Sequence, residues 1–140
     1  FAQTGLFGLY YGESYGAVKD SLENYEPAFD CIEEEGTRSV YVSYDNEYVD
    51  QIVCYFDKPN GSLVSWQVFY IEQPEEDIWD IAYDAAYDWH DEGDYDDDFE
   101  VYSWELGGGK MLLMGYNSDY WLVADYYNEA YPEISEVKYW

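Results

Sequence analysis

Residues 73–100 read QPEEDIWDIAYDAAYDWHDEGDYDDDFE, and how this stretch folds decides how the rest of the chain can be arranged. Pro74 suits the first position of a helix, where its missing N–H removes no hydrogen bond. Glu75, Glu76 and Asp77 then fall in the first turn, where carboxylates meet the positive end of the helix dipole. Ile78, Ala82, Ala85 and Trp89 recur at helical spacing, with Ile81 and Ala86 at the edges of that row, so the segment predicts an amphipathic helix that buries them. Gly93 stops the helix, and residues 91–98 predict an acidic loop.

Strand-like segments lie on both sides. Upstream, residues 29–34, 38–44, 49–57 and 63–71 are separated by Gly36-Thr37, Asp45-Asn46-Glu47 and Lys58-Pro59-Asn60-Gly61-Ser62. Asn-Gly between two apolar runs is a strong hairpin signal, because both residues tolerate positive φ. The four segments predict an antiparallel meander. In the third, Ile52, Cys54 and Phe56 alternate with Val53 and Tyr55; in the fourth, Val64, Trp66, Val68 and Tyr70 alternate with Leu63, Ser65, Gln67 and Phe69. Neither face of this pair is plainly polar. Either both faces are covered, or one presents aromatics to a partner.

Ahead of the meander, residues 6–11 (LFGLYY) predict a strand or an extended arm. Ser14 then caps a short helix over residues 15–24, with Tyr15, Val18 and Leu22 at helical spacing. After the central helix, residues 99–106, 111–116 and 120–127 predict strands, with 134–140 a weaker fourth. The order is helix, four strands, helix, three or four strands. It predicts an α+β fold, an antiparallel β-sheet with two helices packed on one face. It also suggests a degenerate tandem helix-plus-strands repeat, with halves 5–71 and 72–140 inside one domain over 1–140.

The start of the first helix, Gly12-Glu13-Ser14-Tyr15-Gly16-Ala17-Val18-Lys19-Asp20-Ser21-Leu22, resembles the Gly-x-Ser/Thr-x-x-x-Val-x-x-x-Leu pattern of small exported bacterial proteins. These include the SmpA/OmlA outer-membrane-assembly lipoproteins and the β-lactamase-inhibitor-protein type. The resemblance implies helices on one face of an antiparallel sheet and, for the inhibitor type, a tandem repeat. Export is also the expectation from Phe1-Ala2-Gln3, which resembles the residues around a bacterial export cleavage point and implies a periplasmic, secreted or surface location.

Charge narrows the partners. Thirty-two acidic residues face Lys19, Arg38, Lys58, Lys110 and Lys138, a net charge of −27. Such a surface repels nucleic acid and anionic head groups and favours cationic partners, metal ions or simple solubility. Apolar residues make up 48% of the chain, enough for a core, while the apolar runs, such as Met111-Leu112-Leu113-Met114, are far too short for a membrane-spanning helix. With 19 Tyr, 6 Trp and 6 Phe, some rings must reach the surface, where a rigid ring with one polar atom serves binding well.

Asp91, Asp94, Asp96, Asp97, Asp98 and Glu100 offer hard oxygen ligands, but counting from Asp88 puts Gly93 at position 6, His90 at position 3 and Phe99 at position 12, so no EF-hand loop forms. What remains is a weakly held calcium ion at Asp94, Asp96 and Asp98; the sequence asks for no other cofactor. His90 is the one histidine, placed at a helix C-terminal end where its cation is favoured, and the cysteines show no zinc spacing. Gly107-Gly108-Gly109-Lys110 lacks P-loop spacing, and no Gly-x-Ser-x-Gly is present. Glu76, Asp80, Asp84 and Asp88, four apart, form a carboxylate ridge with steps of about 6 Å, close to the spacing of nucleic-acid phosphates.

Register predicts the cysteine state. A two-residue turn at Gly36-Thr37 sets Cys31 opposite Val42, and Val42 opposite Gln51, leaving Cys54 two strands over and three residues along. Two strands are about 9–10 Å apart, beyond disulfide reach, so two free, buried thiols are expected.

These observations lead first to an exported, non-catalytic binding protein. Its partner, a protein or a glycan, would meet Tyr55, Trp66 and Tyr70 together with Glu76, Asp80 and Asp84. A carbohydrate-binding or sugar-active protein is the alternative, and an acidic inhibitor mimicking nucleic acid is the third.

Overall fold

The computed structural model describes residues 4–137 and 139. Helix α1 is Tyr15–Glu23 and helix α2 is Ile78–His90. The strands are β1 Asp30–Glu35, β2 Arg38–Val42, β3 Val49–Phe56, β4 Leu63–Tyr70, β5 Asp94–Asp96, β6 Val101–Gly107, β7 Lys110–Tyr116 and β8 Leu122–Asn128. They form one open sheet in the order β1-β2-β3-β4-β8-β7-β6-β5, with every neighbouring pair antiparallel. The fold is α+β, with both helices on one face. Each half of the chain supplies a helix and then four strands, and the halves meet where β4 pairs with β8.

Strand alternation sorts the side chains onto two faces. Tyr41, Ile52, Cys54, Trp66, Val68, Leu112, Met114, Ala124 and Tyr126 point towards the helices, where Val18 and Leu22 of α1 and Ile78, Ala82 and Ala86 of α2 complete the larger core. Trp66 and Tyr126, opposite one another across the β4–β8 junction, stack with centroids 3.9 Å apart and planes 9° apart. Val40, Val53, Phe69, Leu113 and Val123 point the other way, where Val101 and Val137 join a second cluster. The segment after β8 crosses this face. Asp125 Oδ2 accepts hydrogen bonds from Ser135 Oγ (3.0 Å), Glu136 N–H (2.8 Å) and Val137 N–H (3.2 Å), and Gln67 Nε2 donates to the Ile134 carbonyl (2.7 Å). Both faces of the sheet are therefore covered at its centre, which answers the apolar character of β3 and β4.

Several expectations are corrected. Residues 6–11 are not an extended arm: Leu6–Gly8 is a 3-10 turn, bent by positive φ at Phe7 and Gly8 and closed by Gly5 N–H on the Leu9 carbonyl at 2.8 Å. The chain then hydrogen-bonds to the start of β4 through Gly12 N–H to Leu63 O (2.7 Å) and Leu63 N–H to Glu13 O (2.8 Å). Residues 91–98 are not all loop, because β5 pairs with β6 there, Tyr95 lying opposite Tyr102. Residues 134–137 are not a strand. Pro132–Ile134 is a 3-10 turn, and Asp125 takes the N–H groups of Glu136 and Val137 that a ladder would use. Lys138 and Trp140 of that predicted strand, like Phe1-Ala2-Gln3, lie outside the described residues.

The predicted register is right in one pairing and shifted in the other. Val40↔Val53 and Tyr41↔Ile52 continue the predicted β2–β3 alignment, and Glu35↔Arg38 confirms the two-residue turn. A bulge between Cys31 and Glu33 then moves Cys31 opposite Tyr41 rather than Val42. Both thiols are free, but only Cys54 is buried; Cys31 is half-buried at the sheet edge. At the β6–β7 turn, Gly107, Gly108 and Gly109 all have positive φ, a run that side chains other than glycine resist.

Candidate functional site

Helix α2 begins at Ile78, not at Pro74. Asp77 is its N-cap, its side chain accepting from Trp79 N–H at 2.9 Å. Glu75 and Glu76 precede the helix, in a loop held elsewhere: Gln73 Nε2 donates to Glu47 O (2.8 Å) and Ile71 O (3.0 Å), and the Tyr48 hydroxyl donates to Glu76 Oε2 (3.3 Å). With this phase the helix carries four rows of residues four apart. Ile78, Ala82 and Ala86 are buried against the sheet. Asp80, Asp84 and Asp88 are exposed. Trp79, Tyr83 and Tyr87 lean towards β5–β7, and Ile81, Ala85 and Trp89 lean towards the N-terminal segment. The predicted buried row is thus corrected: Ala86 replaces Ala85, and Trp89 is 45% exposed.

The second row builds the most conspicuous surface of the molecule. Trp79 meets Tyr116 (5.6 Å between centroids) and Tyr102 (6.0 Å). Tyr102 lies between Tyr83 and Tyr95, 4.8 Å from each. Tyr83 continues to Tyr87 (6.2 Å) and Trp104 (5.6 Å). The rings form one continuous band. Trp104 is buried beneath it, and Tyr87, Tyr95 and Tyr116 are exposed along it. Hydrogen bonds hold it in place. Trp79 Nε1 donates to the Tyr116 hydroxyl (3.1 Å), which donates to Glu72 Oε1 (3.3 Å). Trp104 Nε1 donates to Asp91 O (2.9 Å), and Gly93 N–H donates to the Tyr83 hydroxyl (3.2 Å). A side chain at Gly93 would collide with the Trp104 ring, so the close approach of the chain to the band depends on that glycine.

Acidic residues flank the band: Asp80 and Asp84 in the neighbouring row of α2, and Glu72 beside Tyr116, whereas Asp94 and Asp96 alternate with Tyr95 and so fall on the other face of β5. Burial first, and the charges of Glu100 and Asp97 after it, raise the Tyr95 hydroxyl above the ordinary phenol range; burial and Glu72 do the same at Tyr116. Both hydroxyls stay protonated at neutral pH, that of Tyr116 donating to Glu72. The basic residues among those described are placed elsewhere. Lys19 and Arg38 pair with Glu34 and Glu33 (2.9 Å each), Lys58 lies in the β3–β4 loop, and Lys110 lies over the Tyr11 ring at 5.6 Å.

The site residues expected from sequence do not form one surface. Trp66 and Tyr70 are buried in the core, because even-numbered residues of β4 face the helices. Tyr55 is half-buried on the opposite face, in a shallow hollow with Arg38 and Gln51, so the sheet separates it from the acidic residues of α2. Asp80 and Asp84 are exposed on α2 as expected. Glu76 is off the helix, and the carboxylate ridge shortens to Asp80, Asp84 and Asp88. Asp94 and Asp96 lie on β5 and Asp98 in the following turn, where Asp96 Oδ1 accepts from the N–H groups of Asp98 (2.9 Å) and Phe99 (3.2 Å). Among the described residues no three His, Cys, Asp or Glu side chains group as metal ligands, and no helix is long and apolar enough to cross a membrane. Sequence reasoning missed the band. Its helical half, Trp79, Tyr83 and Tyr87, is visible as a four-residue repeat beside the acidic row; its other half needs β5.

No protein-family model, curated protein or solved structure matches the chain.

Proposed function

We propose that this protein is a non-catalytic binding module whose aromatic band, from Tyr116 to Tyr87, receives a basic segment of a partner protein. The observation that carries this is the continuous run of rings with three exposed members, flanked by carboxylates of α2 and by Glu72 that, among the described residues, form no ion pair with a basic side chain. Lysine and arginine suit such a strip: their apolar stems lie along the rings while their heads reach carboxylates. A sugar needs an open ring face, and Tyr102, the central ring, already has Tyr83 and Tyr95 against it at 4.8 Å. The buried titratable groups support a binding role over a catalytic one. Asp125 secures the C-terminal segment, Glu13 accepts from Tyr10 N–H and Ser21 Oγ, and His90 meets the Tyr126 hydroxyl.

A panel of Arg- and Lys-bearing peptides, with a glycan array beside it, tests the proposal. Tyr95→Ala and Tyr87→Ala are expected to weaken the best peptide about tenfold each, as truncating interface aromatics does. Glu35→Gln, which removes one charge on β1, leaves affinity within about twofold, the small effect expected of a remote exposed charge. Equal losses from all three variants would mean unspecific charge attraction. Selective glycan binding without peptide binding would move the function to sugars.

A further inference from the structure

The fourth row of α2 faces a different feature. Between α2 and the N-terminal segment lies a groove of about 290 Å³. Five aromatic residues are in its lining: Phe7, Tyr25, Tyr48, Trp89 and the buried Tyr70. Phe7 and Tyr25 are themselves in edge contact at 5.0 Å. Among the described residues Asp88 is the one charged residue in the lining. Trp89 and Tyr25 remain exposed at the mouth, apolar area that the fold leaves in water.

We propose that this groove binds a small organic cation, a quaternary or alkylated ammonium group on a short apolar body. Aromatic rings around a cavity attract such cations through their negative faces, and an adjacent carboxylate adds to the attraction. The volume is at the small end for ligand pockets, which suits a compact ligand. The polar groups argue against a polyol: Asn46 Oδ1 already accepts from Tyr48 N–H (2.9 Å) and Val49 N–H (3.0 Å), and the Tyr48 hydroxyl is given to Glu76. An anion would meet Asp88 and a chain of net charge −27. The groove is a separate surface from the band and does not depend on it.

Choline, its neutral carbon isostere 3,3-dimethylbutan-1-ol, and glucose, titrated against the full chain with the tryptophan indole N–H resonances as the readout, test this. The Trp89 signal is expected to shift saturably with choline, at an affinity about tenfold above the isostere. Asp88→Asn is expected to lose about tenfold of the choline affinity and Trp89→Ala all measurable binding by calorimetry. Tyr95→Ala, in the band, leaves choline binding unchanged, so failure of one surface is distinguishable from failure of the other. Both groove substitutions are at exposed positions, and circular dichroism confirms that each variant is folded. Equal affinity for choline and the isostere, glucose binding in place of choline, no saturable shift, or undiminished choline binding by Trp89→Ala would each overturn the proposal.

Discussion

Asp125 and His90 show burial prevailing over local stabilisation of charge. Three donors reach Asp125 Oδ2 and the Gln67 amide is close by, which favours the carboxylate, but the side chain is fully buried. Burial therefore raises its pKa from 3.8 to about 6. At His90 the helix C-terminus favours the cation, as the sequence led one to expect, yet burial lowers the pKa below 6.5. The Tyr126 hydroxyl accepts from Leu6 N–H (2.8 Å) and hydrogen-bonds to His90 Nε2 at 2.9 Å, the direction following the tautomer of the ring. The consequences for stability have opposite signs. Because the Asp125 pKa is raised on folding, its contribution is fully present below 3.8 and is lost as pH rises through about 6. Glu13, also raised by burial, acts in the same direction, whereas His90 gives stability above 6.5 that is lost on acidification. The difference between wild type and Asp125→Asn isolates the aspartate. In urea unfolding, the wild type is expected to gain on the order of 2 kcal/mol relative to the variant between pH 7 and pH 4.5. Parallel pH profiles for the two proteins would refute the assignment.

At the scale of elements, the decisive residue is the α2 cap. Asp77→Ala removes the acceptor for Trp79 N–H and is expected to cost about 1 kcal/mol. Glu75→Ala is expected to change the unfolding midpoint little, since Glu75 lies before the helix; a larger loss at Glu75 than at Asp77 would restore the earlier start at Pro74. The start alone does not settle which residues α2 buries. Starting at Pro74 or at Ile78 leaves Ile78 and Ala82 inside, but the choice between Ala85 and Ala86, and so the exposure of Trp89, depends on how the helix sits on the sheet. The seven strands of the two meanders with clear alternation were legible, as were the Ser14 cap, which accepts from Ala17 N–H at 3.3 Å, and the β2–β3 register. The bulge after Cys31 was not, because an inserted residue leaves the local pattern of DCIEEE unchanged. Nor was β5: Asp94 and Asp96 are poor strand formers, so propensity hides a three-residue strand whose pairing with β6 is supported by the cross-strand Tyr95–Tyr102 contact. The C-terminal segment was misread because an apolar stretch can cover a sheet face without joining the sheet.

Over the whole molecule, negative charge has a distribution as well as a total. Both sheet edges are acidic: β1 carries Asp30, Glu33, Glu34 and Glu35, and β5 carries Asp94 and Asp96. Like charges along an edge oppose strand addition by another copy, so part of the −27 protects an open sheet from self-association. The carboxylates of α2 differ in their setting, standing between an aromatic band on one side and an aromatic groove on the other. If a basic partner is recognised by the band and not by acidity in general, its contacts are confined to that surface. Residue-resolved NMR shift mapping with the best-binding basic peptide tests it most directly. The account predicts shifts concentrated at Trp79, Tyr83, Tyr87, Tyr95, Tyr102 and Tyr116 and the neighbouring Asp80 and Asp84, with β1 unaffected. Shifts spread evenly over the acidic edges, with the band silent, would contradict it.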